Sequence, residues 1–170
     1  KNDRVIVNPL SLKHWIINEL ESWIVLYYTG NTRVSAKIIE EQNLNTTSSN
    51  KSSLTSMHKI KSLAGDTKRA LIIGDILNFS NILQESWINK KATAKQVSNK
   101  KIEKIYRAAI KNGAIAGKIS GAGGGGFMFY LVNPLNRNKL IEKLNSFEGQ
   151  VYNFQFVSDG MKGWYVSKQP

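Results

Sequence analysis

The residues in this chain that are best suited to chemistry form a glycine-rich loop. The loop reads Gly121-Ala122-Gly123-Gly124-Gly125-Gly126, follows Lys118-Ile119-Ser120 and leads directly into an apolar run at 127–132. Glycine accepts positive φ and leaves room for another group to approach the backbone. Successive amides with no side chains in the way form a concavity that binds anions, and a polyphosphate fits it. The alternative is a plain hairpin turn, which the apolar runs on both sides disfavour.

Three common types of glycine loop do not fit the flanking sequence. Gly121, Gly123 and Gly126 satisfy the G-x-G-x-x-G pattern of dinucleotide-binding proteins, but that pattern must lead into a helix. Here the glycines lead into a β-like apolar run. No G-K-[ST] follows, which excludes a Walker loop. No downstream V-A-I-K, H-R-D or D-F-G is present, which excludes a protein kinase.

Four segments of the chain resemble one family of small-molecule kinases. Lys118 to Phe127 resembles the third sequence motif of the GHMP kinases, the galactokinase, homoserine, mevalonate and phosphomevalonate kinase superfamily. Residues 28–36 resemble the strand-to-helix turn that these kinases carry early in the C-terminal domain. Glu85-Ser86-Trp87 and residues 109–118 are similar to the bacterial heptose kinase branch, which includes the D-glycero-D-manno-heptose 7-phosphate kinases. The likeness extends over about residues 5–164.

This resemblance implies an enzyme that transfers the γ-phosphoryl group of ATP, with Mg²⁺, to a hydroxyl of a heptose phosphate. Another GHMP small-molecule kinase is the alternative. The resemblance assigns the ATP phosphates to the loop and leaves the catalytic residue unknown. An alternative role for the loop is to support another phosphate loop without touching the nucleotide. The residues predicted to bind the nucleotide are Ser120, Gly121, Ala122, Gly123, Gly124, Gly125 and Gly126.

Four further residues are predicted to bind the substrate. Arg33 follows Thr29-Gly30 at a helix start, where backbone N–H groups and a guanidinium can share an anion. Lys118 precedes the loop and could reach a phosphate, or it could face water. Trp87 and Lys90 could line a sugar pocket. The alternative for Arg33 is an unpaired surface position, and for Trp87 it is the hydrophobic core.

The GHMP kinases also carry a second loop, of P-x-G-L-G-S-S type, in an N-terminal domain. No such segment occurs in this sequence. The resemblance therefore implies that residues 1–170 are a GHMP kinase C-terminal domain. We expect this domain to act together with an N-terminal domain and to transfer no phosphate by itself.

The net charge of +12 is also compatible with a function of another class. The chain would then be a basic ferredoxin-like module that binds nucleic acid. We expect no such partner, because the basic residues are spread along the chain and no RNA-binding motif accompanies them. A positive field also suits ATP and an anionic sugar phosphate. The densest cluster comprises Lys90, Lys91, Lys95, Lys100, Lys101 and Lys104.

Other residue types exclude several classes of protein. The chain has no Cys, so nothing indicates disulfides or a thiolate metal site. His14 and His58 lie far apart in sequence and make no recognisable metal motif. No apolar run approaches the length of a membrane-spanning helix, and the N-terminus lacks the order of a signal peptide. We therefore expect a cytoplasmic location, no membrane partner and no metal held by the protein.

The elements that must position the loop alternate between strands and helices, which predicts an α+β fold. We expect a ferredoxin-like domain with a mostly antiparallel sheet packed against helices. Among these elements, the helix before the loop has the clearest start, apolar face and end in the sequence. Ser98 is its predicted N-cap, an apolar stripe runs from Ile102 to Ile110, and Gly113 is its predicted C′ residue.

The remaining elements follow from hydrophobic pattern and breaker residues. A stripe of Ile72, Ile76, Phe79 and Leu83 predicts an amphipathic helix, with Gly65 and Gly74 interrupting the helical segment at 53–89. A polar loop is predicted at 43–53. Further helices are predicted at 33–42 and 134–145, and a helical turn at 15–20. The predicted strands are 5–7, 23–29, 114–120, 127–132, 151–157 and 164–167.

Overall fold

A computed structural model describes residues 7–30, 35–48 and 50–165 of the chain. Within these residues the chain forms six α-helices and four β-strands. The helices are α1 (His14–Trp23), α2 (Ser35–Thr47), α3 (Lys51–Ile73), α4 (Ile76–Thr93), α5 (Lys100–Lys111) and α6 (Arg137–Asn145). The strands are β1 (Ile24–Tyr28), β2 (Ala114–Ile119), β3 (Phe127–Val132) and β4 (Gln150–Tyr152). Single 3₁₀ turns at Lys95–Val97 and Pro134–Asn136 precede α5 and α6.

The four strands form one antiparallel sheet in the order β2-β3-β1-β4. The middle strands pair with Ile24 opposite Leu131 and Tyr28 opposite Phe127. Helices α2 to α5 connect β1 to β2, and α6 connects β3 to β4. This is the β-α-β-β-α-β arrangement of a ferredoxin-like fold. The predicted α+β fold with an antiparallel sheet is confirmed.

The sheet buries apolar side chains on both of its faces. Tyr130 and Leu131 are neighbours on β3, yet Tyr130 belongs to one buried cluster and Leu131 to another. This is expected, because successive strand residues point to opposite faces. One face packs against α5 and α6. The other face packs against α1 through Ile16 and Leu20.

The long helical segment before α5 breaks at one glycine only. Gly74 ends α3 with φ of 76° and Asp75 then caps α4, its side chain accepting the Asn78 N–H at 3.0 Å. The other predicted interruption, Gly65, lies inside α3, so that part of the prediction was wrong. The predicted stripe also divides at Gly74, because Ile72 belongs to α3 and is 47% exposed.

The predicted loop at 43–53 was wrong, because α2 continues to Thr47 and α3 begins at Lys51. Polar side chains in this segment bond within the helix or to its neighbours instead of breaking it. Thr46 Oγ1 donates to the Gln42 carbonyl at 2.8 Å, and Asn45 Nδ2 donates to the Thr93 carbonyl at 2.9 Å. Tertiary docking on α4 therefore overrides the weak helix propensity of these residues.

Near the chain ends the sheet is shorter than predicted. The predicted strand 151–157 pairs only as far as Tyr152, because the chain then turns to pack on α1. Phe154 joins the α1 cluster and the Phe156 N–H donates to Glu21 Oε1 at 2.6 Å. In the predicted strand 164–167, residues 164 and 165 are exposed and unpaired in the sheet, and the rest lie outside the described residues. Residues 5 and 6 also lie outside them, and Val7 is not in a strand.

Several predicted elements were confirmed with small shifts. The predicted strands at 23–29, 114–120 and 127–132 are β1, β2 and β3, and the predicted turn at 15–20 is part of α1. Gly113 follows α5 with φ of 103°, as a C′ residue does. The N-cap of α5 is Asn99 and not the predicted Ser98. No helix in the described ranges is long and apolar enough to cross a bilayer.

Candidate phosphate-binding site

The loop between β2 and β3 depends on glycine for its backbone conformation. Five of its residues have φ in the left-handed region, where a side chain would be strained. They are Gly121 at 86°, Gly123 at 124°, Gly124 at 75°, Gly125 at 153° and Gly126 at 82°.

The two ends of the loop are fixed by hydrogen bonds. Ser120 donates its N–H to the Phe127 carbonyl at 2.8 Å. The Gly126 carbonyl accepts both the N–H and the Oγ1–H of Thr29, each at 2.9 Å. Thr29 is 1% exposed and belongs to the turn that resembles the GHMP kinases. The structure therefore joins two segments that lie 97 residues apart in sequence.

The middle of the loop is fixed by the segment before α5. Gly124 donates its N–H to the Val97 carbonyl at 2.8 Å, and its own carbonyl accepts from Asn99 Nδ2 at 3.2 Å. A Cβ at Gly123 would lie 2.7 Å from both the Cα and the carbonyl oxygen of Val97. The loop therefore packs directly on the 3₁₀ turn, and only glycine fits there.

Several loop amides lack a protein acceptor. Within the part of the chain that the structure describes, Gly121, Ala122, Gly123, Gly125 and Gly126 donate no backbone hydrogen bond. Three of these residues, Gly123, Gly125 and Gly126, are buried. Since backbone amides in folded proteins are nearly always paired, these N–H groups are available to an external acceptor, either water or a ligand. Gly124, which was also predicted to bind the nucleotide, differs from these residues because the Val97 carbonyl already accepts its N–H.

Two of the predicted substrate residues lie together beside the loop. Lys118 is half-buried on β2, two residues before Ser120. Burial, and after it the charge of Lys90 on α4, lowers the pKa of the Lys118 ammonium. Two cations that disfavour each other's charged form favour an anion nearby. Lys118 and Lys90 therefore raise the positive potential where β2 enters the loop.

Trp87 lies in the hydrophobic core, which was the alternative to a sugar contact. Its side chain is fully buried and tilted against Tyr106, with ring centroids 6.5 Å apart. The ammonium of Lys91 lies 5.7 Å from the centroid of the Trp87 ring. The indole N–H has no hydrogen-bond partner among the described residues. The other predicted substrate residue, Arg33, lies outside the described residues.

A cleft of about 460 Å³ adjoins Gly124 on the side of α2, and sequence reasoning missed it. Its charged side chains are two cations, Lys37 and Lys95. The nearby carboxylate of Glu41 instead accepts the N–H of Lys95 at 2.8 Å and that of Gln96 at 3.3 Å. The cleft therefore suits an anion. Its lining is Lys37, Ile38, Lys95, Gln96, Ser98, Asn99 and Gly124.

A second cavity, an apolar groove of about 700 Å³, begins at Ser120 and runs along the other face of the sheet. Four phenylalanines line it together with residues of α1. They are Phe127, Phe129, Phe154 and Phe156. The loop thus separates a cationic cleft from an apolar groove.

The described residues offer no ready-made metal site. Among them, no group of three or more His, Cys, Asp or Glu side chains could hold an ion. Mg²⁺ needs no such cluster, because proteins commonly hold it through one or two carboxylates together with waters. In kinases the ion also binds phosphate oxygens of the nucleotide.

Comparison with known proteins finds a kinase family model and a related kinase that match the part of the chain containing the loop. Residues 67–149, which span the end of α3 to the start of β4, match the family model described as "GHMP kinases C terminal". The chain is 47% identical over 165 residues to the D-glycero-alpha-D-manno-heptose 7-phosphate kinase of Campylobacter jejuni. That match covers 97% of this chain and 48% of the curated relative, so the chain spans about half the relative's length.

Solved structures agree with this match. A D-glycero-D-manno-heptose 1-phosphate kinase from Bacteroides thetaiotaomicron superposes with a TM-score of 0.68 and 38% identity, covering 99% of this chain and 44% of that one. The L. major mevalonate kinase superposes with a TM-score of 0.66 at 19% identity, covering 73% and 38%, and shows the fold alone. The segment at residues 67–149 therefore matches the C-terminal domain of the GHMP kinases, and the chain around it is similar to heptose phosphate kinases.

Proposed function

We propose that the chain forms the C-terminal part of an ATP-dependent heptose phosphate kinase. The observation that carries the proposal is the set of loop amides that donate no backbone hydrogen bond among the described residues, in a loop where five residues hold positive φ. These amides belong to Gly121, Ala122, Gly123, Gly125 and Gly126. Similarity to two heptose phosphate kinases supports the substrate class. The names of these relatives differ in the position of the phosphate, so the proposal does not extend to one hydroxyl.

Phosphoryl transfer depends mainly on positioning and on stabilising negative charge on the transferred group. Fixed backbone amides suit this task, because they need no reorganisation as charge develops. We assign it to the N–H groups of Gly125 and Gly126, with Gly121 to Gly123 completing the concavity. Mg²⁺, when bound with ATP, would neutralise further phosphate charge.

The cationic side chains around the loop favour the same ligands. Lys118 lies just before the loop and its ammonium is affected by the charge of Lys90 on α4. Lys37 and Lys95 line the cleft beside Gly124. A positive field raises the local concentration of anionic substrates. We propose that an N-terminal domain supplies the second phosphate loop and the catalytic residue. The cytoplasmic location expected from the sequence stays a prediction.

The direct test is a substrate panel with the full-length protein. ADP release is measured with heptose 7-phosphate, heptose 1-phosphate, galactose, mevalonate and homoserine, and phosphorus NMR identifies the product. We expect kcat/KM for a heptose phosphate to exceed that for the other compounds by at least about tenfold, or about 1.4 kcal/mol of transition-state binding. Preference for another compound would make the protein a different GHMP kinase. Salt-sensitive RNA binding without any phosphoryl transfer would favour the nucleic-acid module.

Arg33 provides a test of the sugar side of the site. The planar fork of Arg matches phosphate oxygens in a way that Lys cannot reproduce. We expect Arg33→Ala to raise KM for the sugar phosphate by ten- to a hundredfold, since a hydrogen bond to a charged group contributes about 1.5–3 kcal/mol. Arg33→Lys should recover only part of the loss. If both Michaelis constants are unchanged, Arg33 is a solvated residue that binds neither substrate. If only KM for ATP changes, Arg33 belongs to the nucleotide side of the site.

A further inference from the structure

One side chain joins the start of α5 to the glycine loop. Asn99 is the N-cap of α5, and its Oδ1 accepts the Ile102 N–H at 3.0 Å. The Nδ2 atom of the same amide donates to the Gly124 carbonyl at 3.2 Å. Capping alone needs only the oxygen, and Ser or Asp would serve equally well. The amide nitrogen is what distinguishes Asn at this position.

The second bond determines the direction of a neighbouring N–H. The Gly124 carbonyl and the Gly125 N–H belong to one planar trans peptide, in which these two groups point in opposite directions. Because Asn99 holds the carbonyl towards α5, the Gly125 N–H points away from α5. This N–H is one of the unpartnered amides of the loop.

Without this contact, little would hold the peptide in place. Gly124 and Gly125 have no side chains to restrict φ and ψ, so sterics restrict the peptide between them less than a peptide between residues with side chains. The N–H of Gly124 is held by Val97, but that bond fixes the preceding peptide. The Asn99 bond is therefore the contact that orients the peptide bearing the Gly125 N–H.

The helix that carries Asn99 is itself held firmly. Ile102 and Ile105 on α5 are at most 1% exposed. Glu103 accepts from Ser98 Oγ at 2.7 Å and from Lys91 Nζ at 3.1 Å, which links α5 to α4. The position of Asn99 is thus set by the core and by this link.

We propose that Asn99 is a positioning residue, which aims the Gly125 N–H at the phosphate group through the Gly124 carbonyl. That the Gly125 N–H points at a phosphate group rests on the kinase function proposed above. That Asn99 orients the peptide between Gly124 and Gly125 does not rest on it, so these two parts of the proposal can be tested separately.

The test replaces Asn99 with Ser in the full-length protein. Ser keeps the cap and the neutral charge but has no amide to reach the Gly124 carbonyl. The matched control is Asn50→Ser, because Asn50 caps α3 in the same way, accepting the Ser53 N–H at 3.1 Å. We expect equal unfolding midpoints for the two variants. Asn99→Ser should lower kcat by about tenfold or more and change KM for the sugar phosphate by less than about twofold.

A second measurement does not depend on activity. The order parameter of the Gly125 N–H, from ¹⁵N NMR relaxation, should fall from a rigid value of about 0.85 to below about 0.6 in Asn99→Ser and stay unchanged in Asn50→Ser. An unchanged order parameter in Asn99→Ser overturns the proposal whatever the kinetics. A lower order parameter with wild-type kcat also overturns it, because the reaction would then not depend on the orientation that Asn99 gives to Gly125. A lower order parameter in a protein that phosphorylates no sugar supports the anchoring role and rejects the kinase function.

Discussion

At the scale of single residues, the loop uses glycine for three different purposes. Gly123 provides space, since a Cβ there would lie 2.7 Å from Val97. Gly124 bonds to the protein through both its N–H and its carbonyl. Gly125, with φ of 153°, leaves its amide open for an acceptor. The same residue type therefore serves packing and anchoring, and in the proposed function also phosphate binding, within three consecutive positions.

Valine at Gly124 or Gly125 should impair catalysis in the full-length enzyme. We expect activity to fall at least tenfold, roughly 1.4 kcal/mol of transition-state stabilisation. Valine disfavours positive φ and blocks the approach of phosphate to the amides. The measurement is the steady-state rate with both substrates saturating, and Gly65→Ala is the control because a Cβ there meets nothing within 4 Å. Full activity in a folded variant would reduce the loop to a hairpin connection.

At the scale of elements, a polar link between α4 and α5 supports the loop. Glu103 on α5 accepts from Lys91 on α4 and from Ser98, the residue after the 3₁₀ turn. Burial acts to raise the pKa of the Glu103 carboxyl, but the bonds from Ser98 and Lys91 outweigh it and hold that pKa below its usual 4.5. The charged form is therefore favoured by folding.

Glu103→Gln should weaken this link in a pH-dependent way. Because the folded-state pKa is lowered, the stabilisation is complete above the unfolded value of 4.5 and is lost as the pH falls through the lower folded value. We expect the variant to lose about 1 kcal/mol of unfolding free energy at neutral pH. Urea unfolding at several pH values gives the difference, which should shrink below pH 4.5.

The control for this experiment is Glu148→Gln. Glu148 pairs with Lys101 at 2.9 Å, but its side chain is 86% exposed. Solvent screens such a pair, so we expect little change in stability at any pH. A difference for Glu103→Gln that is independent of pH would contradict the assigned cause.

At the scale of the whole molecule, the order of the strands in the sheet brings the segments of the candidate site together. β1 lies between β3 and β4, so the end of β1 at Thr29 meets the end of the loop at Gly126. The edge strand β2 places Lys118 against α4 and its Lys90. Segments far apart in sequence therefore meet at one end of the domain.

The 170-residue chain by itself should not transfer phosphate to any sugar. Its sequence contains no P-x-G-L-G-S-S segment, and it spans 48% of the curated relative's length. We expect no sugar-dependent ADP release above a mock preparation. Clear turnover by these residues alone would mean that they contain the whole catalytic apparatus.

Local features of this domain could be predicted from the sequence. The helix α5, the strand β2, the loop and β3 follow one another along the chain, and the periodicity and glycines that specify them act over a few residues. The strongly apolar strands β1, β2 and β3 were also predictable, because each is a short run bounded by breaker residues. Local rules were less reliable where polar residues dock: the loop predicted at 43–53 is mostly helix because Asn45 bonds to Thr93.

The tertiary structure decided which predicted groups act together. Asn99 and Gly124 are 25 positions apart, and Thr29 and Gly126 are 97 apart, so no spacing rule connects them. The same holds for the cleft between Lys37 and Lys95, which forms only when α2 packs on the turn before α5. The residue types that could bind phosphate could be identified from the sequence, because the backbone freedom of glycine is a property of the residue itself. Which amides remain open to a ligand depends on bonds that only the folded chain can make.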